Sequence, residues 1–173
     1  MRASNVRIDG AVAFVSLTRG YEAVIDAGDI PIISGFKWHA AVCPGGVYAR
    51  RCAGRDASGR QKFELMHRLL AGAPQEKFVD HANGNGLDNR KHNIRVASRA
   101  KNNRNAKIRV DNTSGHKGTS FHRRIGKWQA YINCDGKRLS LGYFNEENEA
   151  ADAYRAASFI FHGEFRREDN ARY

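Results

Sequence analysis

The alternation of apolar and polar positions divides the chain into a β-rich beginning, a polar middle and a regularly patterned end. Residues 6–17 (VRIDGAVAFVSL) alternate weakly and are rich in valine. YEAVI (21–25), IPIISGFKWHAAV and VYARRCA add further strand-like runs, punctuated by Gly45-Gly46 and by Gly54 to Gly59. Leu65 to Leu70 (LMHRLL) predicts the start of a short helix. Residues 78–105 read as strand (FVD), polar loop (HANGNGLDNRKHN), strand (IRVAS) and helix, with Ser98 placed to cap the helix from Arg99. Residues 107–115 (KIRVDNTSG) are polar and read as a linker.

Residues 116–143 predict a three-stranded antiparallel sheet: KGTSFHR, KWQAYIN and KRLSLGYF, the last two joined at Asp135-Gly136. In the second strand Trp128, Ala130 and Ile132 share one face, and Gln129, Tyr131 and Asn133 the other. In the third, Leu139 and Leu141 share a face. Asn145 is the expected cap of a helix whose first turn holds Glu146 and Glu147. Ala150, Ala153, Tyr154, Ala157 and Phe161 form its expected apolar stripe, and Gly163 ends it. Trp128 and Tyr154 are expected in the core.

The resulting fold class is α+β. A small N-terminal β element (1–66) precedes a strand–loop–strand–helix unit (67–106), a linker (107–115) and a module of three strands packed on one helix (116–168). A length of 173 residues suits one medium domain or two small ones. No apolar run approaches the ~18 residues of a membrane span, and MRASNVRIDG lacks the apolar core of a secretory signal. Cys43, Cys52 and Cys134 form no C-x-x-C pair, which speaks against cysteine-ligated zinc and a disulfide framework and for a reducing cytoplasm.

Charge narrows the partner. The chain carries 29 Lys and Arg against 18 Asp and Glu, a net +11, which points to a polyanion. The excess is concentrated: residues 67–110 hold 10 basic and 3 acidic residues, net +7. Arg90 to Arg109 includes eight basic residues and no acid. Arg90, Lys91, Arg95, Arg99 and Arg104 of this run are candidate DNA contacts. No basic amphipathic helix of the membrane-surface type is present, so no membrane partner is expected.

Candidate chemistry lies in the middle. Asp80 and His81 are adjacent at a strand end, with Asn93 and Asn102 twelve and twenty-one residues beyond His81. A hairpin of this length can return the following helix against the strand end, bringing Asp80 and the Asn102 amide oxygen together. Both are hard oxygen donors suited to Mg²⁺ or Mn²⁺. His81 beside them is a candidate proton acceptor for an attacking water, so the set suits phosphodiester hydrolysis.

Residues 67–105 resemble the HNH homing endonucleases of the ββα-metal fold, through Asp80-His81, Gly84-Asn85, Asp88-Asn89, Asn93-Ile94-Arg95 and Asn102. Asp88 and Ile94 stand where the family has Asn and Leu. The resemblance implies Asp80 and Asn102 as metal ligands, His81 as general base, and Asn93 as the residue that braces the loop and orients His81. His67 also recurs in that family and is assigned to packing or substrate contact.

Residues 114–167 resemble the ethylene-response-factor (apetala-two) type DNA-binding domains of plants. The matching elements are Lys117-Gly118, Gly126 to Ile132, Leu141 to Phe144, Glu149 to Tyr154 and His162-Gly163-Glu164. The resemblance implies that the outward sheet face enters the major groove, with Lys117, Ser120, His122, Tyr131, Asn133, Arg138 and Ser140 at the matching positions. Several family arginines and a tryptophan are absent there, so base preference does not transfer. Arg123 and Arg124 are candidates for phosphate contacts.

Together these readings predict a metal-dependent, phage-type homing endonuclease that nicks or cuts double-stranded DNA. It is expected to act in the cytoplasm of a bacterial host, as a monomer or homodimer. The alternative is a DNA-binding transcriptional regulator with a vestigial nuclease centre.

Overall fold

The computed structural model describes residues 3–108 and 111–167. Arg109, at the end of the basic run, and Glu168, the last residue of the expected C-terminal module, lie outside the described residues. The fold is α+β and comprises two compact units, Met1–Arg99 and Ala100–Tyr173. Among the described residues no helix is long and apolar enough to cross a membrane.

In the first unit, β1 (Val6–Asp9), β2 (Val12–Ser16) and β3 (Glu22–Asp26) form an antiparallel meander. A second antiparallel sheet holds β4 (His39–Cys43), β5 (Gly46–Arg55) and β6 (Gln61–Leu65). The alternation read from the sequence sets the core. Ala13 lies opposite Ile25 and Val15 opposite Ala23, and all four are fully buried. Trp38, Ile33, Ala49 and Met66 complete this cluster. The buried Trp38 indole N–H donates to the Ile33 carbonyl at 3.1 Å, which offsets the cost of taking that donor out of water.

One element departs from expectation. IPII is not a strand but a single helical turn, α1 (Ile30–Ile33). Its apolar run is too short for periodicity to discriminate, and Pro31 occupies the first turn, where its missing N–H costs no hydrogen bond. Helix α2 (Met66–Leu70) follows β6 directly, and the hairpin β7 (Phe78–His81) and β8 (Ile94–Ala97) completes the unit. The unit boundary falls inside α3 (Arg99–Arg104).

In the second unit, β9 (Thr119–His122), β10 (Lys127–Cys134) and β11 (Lys137–Phe144) form an antiparallel sheet in the order β11-β10-β9. Helix α4 (Glu147–His162) packs on it. Ala130 and Ile132 of β10 are buried, as are Ala150, Ala151 and Ala157 of α4, whose small side chains let the helix lie close on the sheet. Three details differ from the sequence reading. The helix is capped at Glu146, whose N–H donates to the Glu149 carboxylate at 3.3 Å, rather than at Asn145. A bulge in β11 sets Tyr131 opposite Ser140 and Ala130 opposite Gly142, so Leu141 is the extra residue and does not continue the Leu139 face. The buried stripe of α4 runs through Ala150, Ala151, Ala157, Ser158 and His162, and leaves Phe161 exposed.

Gly118 is fixed by two constraints. Its φ is +65°, and a Cβ there would overlap both the Tyr154 ring and the Tyr131 carbonyl oxygen. Gly118→Ala therefore combines left-handed backbone strain with overpacking and should lower stability by roughly 2–4 kcal/mol in urea unfolding. An unchanged midpoint and slope would contradict this packing.

Candidate functional site

The β7–β8 hairpin carries the chemistry. Its register puts Asp80 directly opposite Arg95, and His81 opposite Ile94. Residues directly opposite project from the same face of an antiparallel pair, so Asp80 and Arg95 meet. The Arg95 Nε and Nη2 both donate to Asp80 Oδ2, at 2.8 and 2.7 Å. Asp80 is 7% exposed, so this is a nearly buried ion pair.

The loop between the strands is shaped by short polar side chains. Asn85 N–H donates to Asn83 Oδ1 at 2.8 Å, and Leu87 N–H to Asn85 Oδ1 at 3.1 Å, two successive side-chain turns. Asn93 spans the loop: its Oδ1 accepts from Asn83 N–H at 3.0 Å and its Nδ2 donates to the Asp88 carbonyl at 2.7 Å. Arg90 grips Asp88 through Nε and Nη2 at 2.8 and 2.7 Å, and holds that carboxyl below the usual carboxylate range. Gly86 lies against β5, where a Cβ would overlap the Tyr48 ring and the Val47 carbonyl oxygen.

The N-terminal sheet anchors this loop. Val24 N–H donates to the Leu87 carbonyl at 2.8 Å, and Asn89 N–H to the Val24 carbonyl at 2.7 Å. Lys91 adds a backbone bond to Asp26 Oδ2 and an ion pair with Asp29, each at 2.8 Å. Residues 1–66 thus give the loop its main-chain partners, a role that the sequence did not disclose.

His81 is 6% exposed, and its Nε2 lies 3.3 Å from Asn89 Oδ1. The orientation of the Asn89 amide is fixed on its other side, where Nδ2 donates to the Leu87 carbonyl at 3.0 Å. An amide oxygen only accepts, so His81 Nε2 carries the proton and Nδ1 carries the lone pair. Burial pushes the His81 imidazole below its ordinary value, against the upward pull of the Asn89 hydrogen bond and of Asp80 and Asp88. His81 is therefore uncharged near neutral pH. The resemblance implies Asn93 as the residue that both braces the loop and orients His81, and Asn93 does brace the loop. Here the direct partner is Asn89, fully buried, while Asn93 holds loop backbone. No pattern in the sequence separates a buried Asn from the turn-forming Asn83 and Asn85.

His67 of α2 stands edge-on to His81, with ring centroids 4.9 Å apart, and Tyr48 touches both rings. Burial first, then the neighbouring His81 and Arg68, pushes His67 down to about 3, and its Nδ1 has no hydrogen-bond partner. His67 is thus an uncharged packing element behind His81.

The donor chemistry fits a divalent cation in one respect and opposes it in another. The Asp80 carboxylate is a hard oxygen ligand beside a neutral imidazole, but its Oδ2 already serves Arg95. Asn102 is a half-buried residue of α3 and belongs to the second unit. Among the described residues no cluster of three or more His, Cys, Asp or Glu is placed to hold a metal. An Asp–Asn centre contains one such residue and is not that kind of cluster.

Of the basic candidates in the first unit, Arg90, Lys91 and Arg95 face Asp88, Asp29 and Asp80, while Arg99 lies over the Phe78 ring at 5.8 Å. In the second unit Arg104 pairs with Asp135 at 3.1 Å, and Lys117 Nζ donates to the Arg104 carbonyl at 3.2 Å. The register of the sheet places Ser120, Gln129 and Tyr143 in one cross-strand row, Tyr131 with Ser140 in the next, and Asn133 with Arg138 beyond. Arg138 stacks over Tyr131 at 4.0 Å, and His122 meets Tyr143 edge-on. Asn133, Arg138 and Ser140 are exposed, as are Arg123 and Arg124 in the turn before β10. This face is polar, basic and aromatic, as a nucleic-acid surface requires.

No protein-family model matches the chain, and no solved structure matches it. Over 51 residues, 30% of its length, the chain is 39% identical to APETALA2-like protein 2 of Oryza sativa, and equally to the AP2-like ethylene-responsive transcription factor TOE2 of Arabidopsis thaliana. The match spans only 12% and 10% of those plant proteins. Over 108 residues the chain is 31% identical to protein 3.8 of Escherichia phage T7, which covers 62% of this chain and 88% of the phage protein. With identity at that level across most of the phage protein, the chain belongs to the family of protein 3.8 of Escherichia phage T7.

Proposed function

We propose that this chain is a DNA endonuclease of the HNH type, which binds duplex DNA through the outward face of β9–β11 and hydrolyses a phosphodiester bond at the β7–β8 site. The observation that carries this reading is the fixed state of His81. Its Nε2–H is committed to Asn89 and it stands next to the buried Asp80 carboxylate, which makes Nδ1 the atom that would take a proton from an attacking water. Asp80 would be a ligand of the Mg²⁺ or Mn²⁺ ion, which would supply charge stabilisation at the phosphate. Tyr48 and His67 wall the imidazole on its protein side and keep its ring from turning.

DNA binding by the second unit is supported by the likeness to the plant transcription factors and by the basic, aromatic sheet face. The same likeness, with Asp80 already neutralised by Arg95, favours a second reading in which the chain only binds DNA and its nuclease centre is disused. Supercoiled plasmid separates the two. The nuclease reading expects open-circle or linear product with Mg²⁺ or Mn²⁺, none in EDTA, and none from Asp80→Asn. Retarded plasmid that stays supercoiled under every metal condition would leave the binding reading in its place.

A further inference from the structure

The geometry points to Arg95 as a latch on Asp80 that must open for the metal to enter, and whose freed guanidinium then takes the phosphate being cut. This inference rests on the nuclease reading of the β7–β8 site.

Three observations carry it. The hairpin register makes Asp80 and Arg95 direct cross-strand neighbours, so their meeting is built into the strands rather than into a flexible loop. Two guanidinium N–H groups converge on a single carboxylate oxygen, at 2.8 and 2.7 Å. The side chains are 18% and 9% exposed, so water screens the pair weakly. A divalent ion on that carboxylate would stand beside a fixed positive charge. Ion and guanidinium therefore compete for one ligand. The flexible Arg95 side chain can leave, whereas the carboxylate at the end of a paired strand cannot. Its planar fork of donors matches a phosphate oxygen pair, and bound DNA supplies that phosphate. DNA and metal then favour the same open state, and the free protein keeps the site shut.

This makes Arg95 act in opposite directions on two measurements. Mn²⁺ affinity of the full chain, without DNA, is read by calorimetry and by the Mn²⁺ electron paramagnetic resonance signal. Removing the competitor should tighten binding at least ~tenfold in Arg95→Gln, since a guanidinium beside a carboxylate biases it by about one to three powers of ten. Binding should be lost in Asp80→Asn. Plasmid cleavage at saturating Mn²⁺ should nevertheless fall at least ~tenfold in Arg95→Gln, for want of the phosphate contact. Should Arg95→Gln fold poorly, Arg95→Met carries the same test, because it keeps the packing stem but removes both the charge and the fork, and is expected to bind Mn²⁺ more tightly than the parent and to cut more slowly.

Equal or weaker Mn²⁺ affinity in the Arg95 variants, with parental binding that depends on Asp80, overturns the latch and leaves the nuclease reading standing. Tighter binding with undiminished cleavage overturns the transfer to phosphate. No Asp80-dependent Mn²⁺ binding in parent or variants overturns the metal site itself, and the latch with it.

Discussion

His81→Ala should slow DNA cleavage by about 10²–10⁴-fold while leaving the affinity for duplex DNA within about twofold of the parent. The rate falls because the variant lacks the Nδ1 lone pair that accepts the proton of the attacking water. Affinity is spared because the proposed DNA-reading surface belongs to the second unit. Asn89→Ala is the companion experiment. It keeps the imidazole but frees Nε2, so the ring can adopt the other tautomer. Supporting residues of this kind are worth roughly 10–100-fold in activity. Cleavage and gel-shift measurements on the same preparations separate the two effects. Parental cleavage by His81→Ala would remove this imidazole from the reaction, and an unaltered rate in Asn89→Ala would show that Asn89 does not set its tautomer.

Acid should weaken the protein well above the pH at which carboxylates titrate. The folded state holds His67 uncharged down to about 3, whereas the unfolded chain takes up a proton below about 6.5. Between these values the unfolded state binds the extra proton, so stability is greatest above pH 6.5 and falls as the pH drops. His67 alone should contribute a slope of about 1.4 kcal/mol per pH unit. His81 and His162 are also held down by burial and act in the same direction. Urea unfolding from pH 7 to 4.5 reads the effect, and His67→Gln should flatten the slope. A parental slope that Gln leaves unaltered would place the acid sensitivity elsewhere.

Much of the second unit was legible in the sequence because its signals are local. KWQAYIN alternates with period two, Asp135-Gly136 turns the chain, and both features appear where expected. The bulge at Leu141 was not legible, since one extra residue in a strand leaves the composition of the pattern intact. The α1 turn escaped because four apolar residues fit a strand as well as a helix. At the candidate site, adjacency made Asp80 and His81 visible. Arg95 was visible only as a positive charge, because its pairing with Asp80 follows from a register that spans a twelve-residue loop. The attachment of the loop to β3 uses main-chain groups of Val24, Leu87 and Asn89, which leave no trace in side-chain identity.

That attachment bears on how such a protein can be recombined. The hairpin is not a self-sufficient cassette. Cut free at residue 67, it would orphan the Leu87 carbonyl and the Asn89 N–H, and expose the face of Gly86 that rests on Tyr48. Grafting this chemistry onto a new DNA reader works only at junctions beyond Arg99, where the whole first unit travels together.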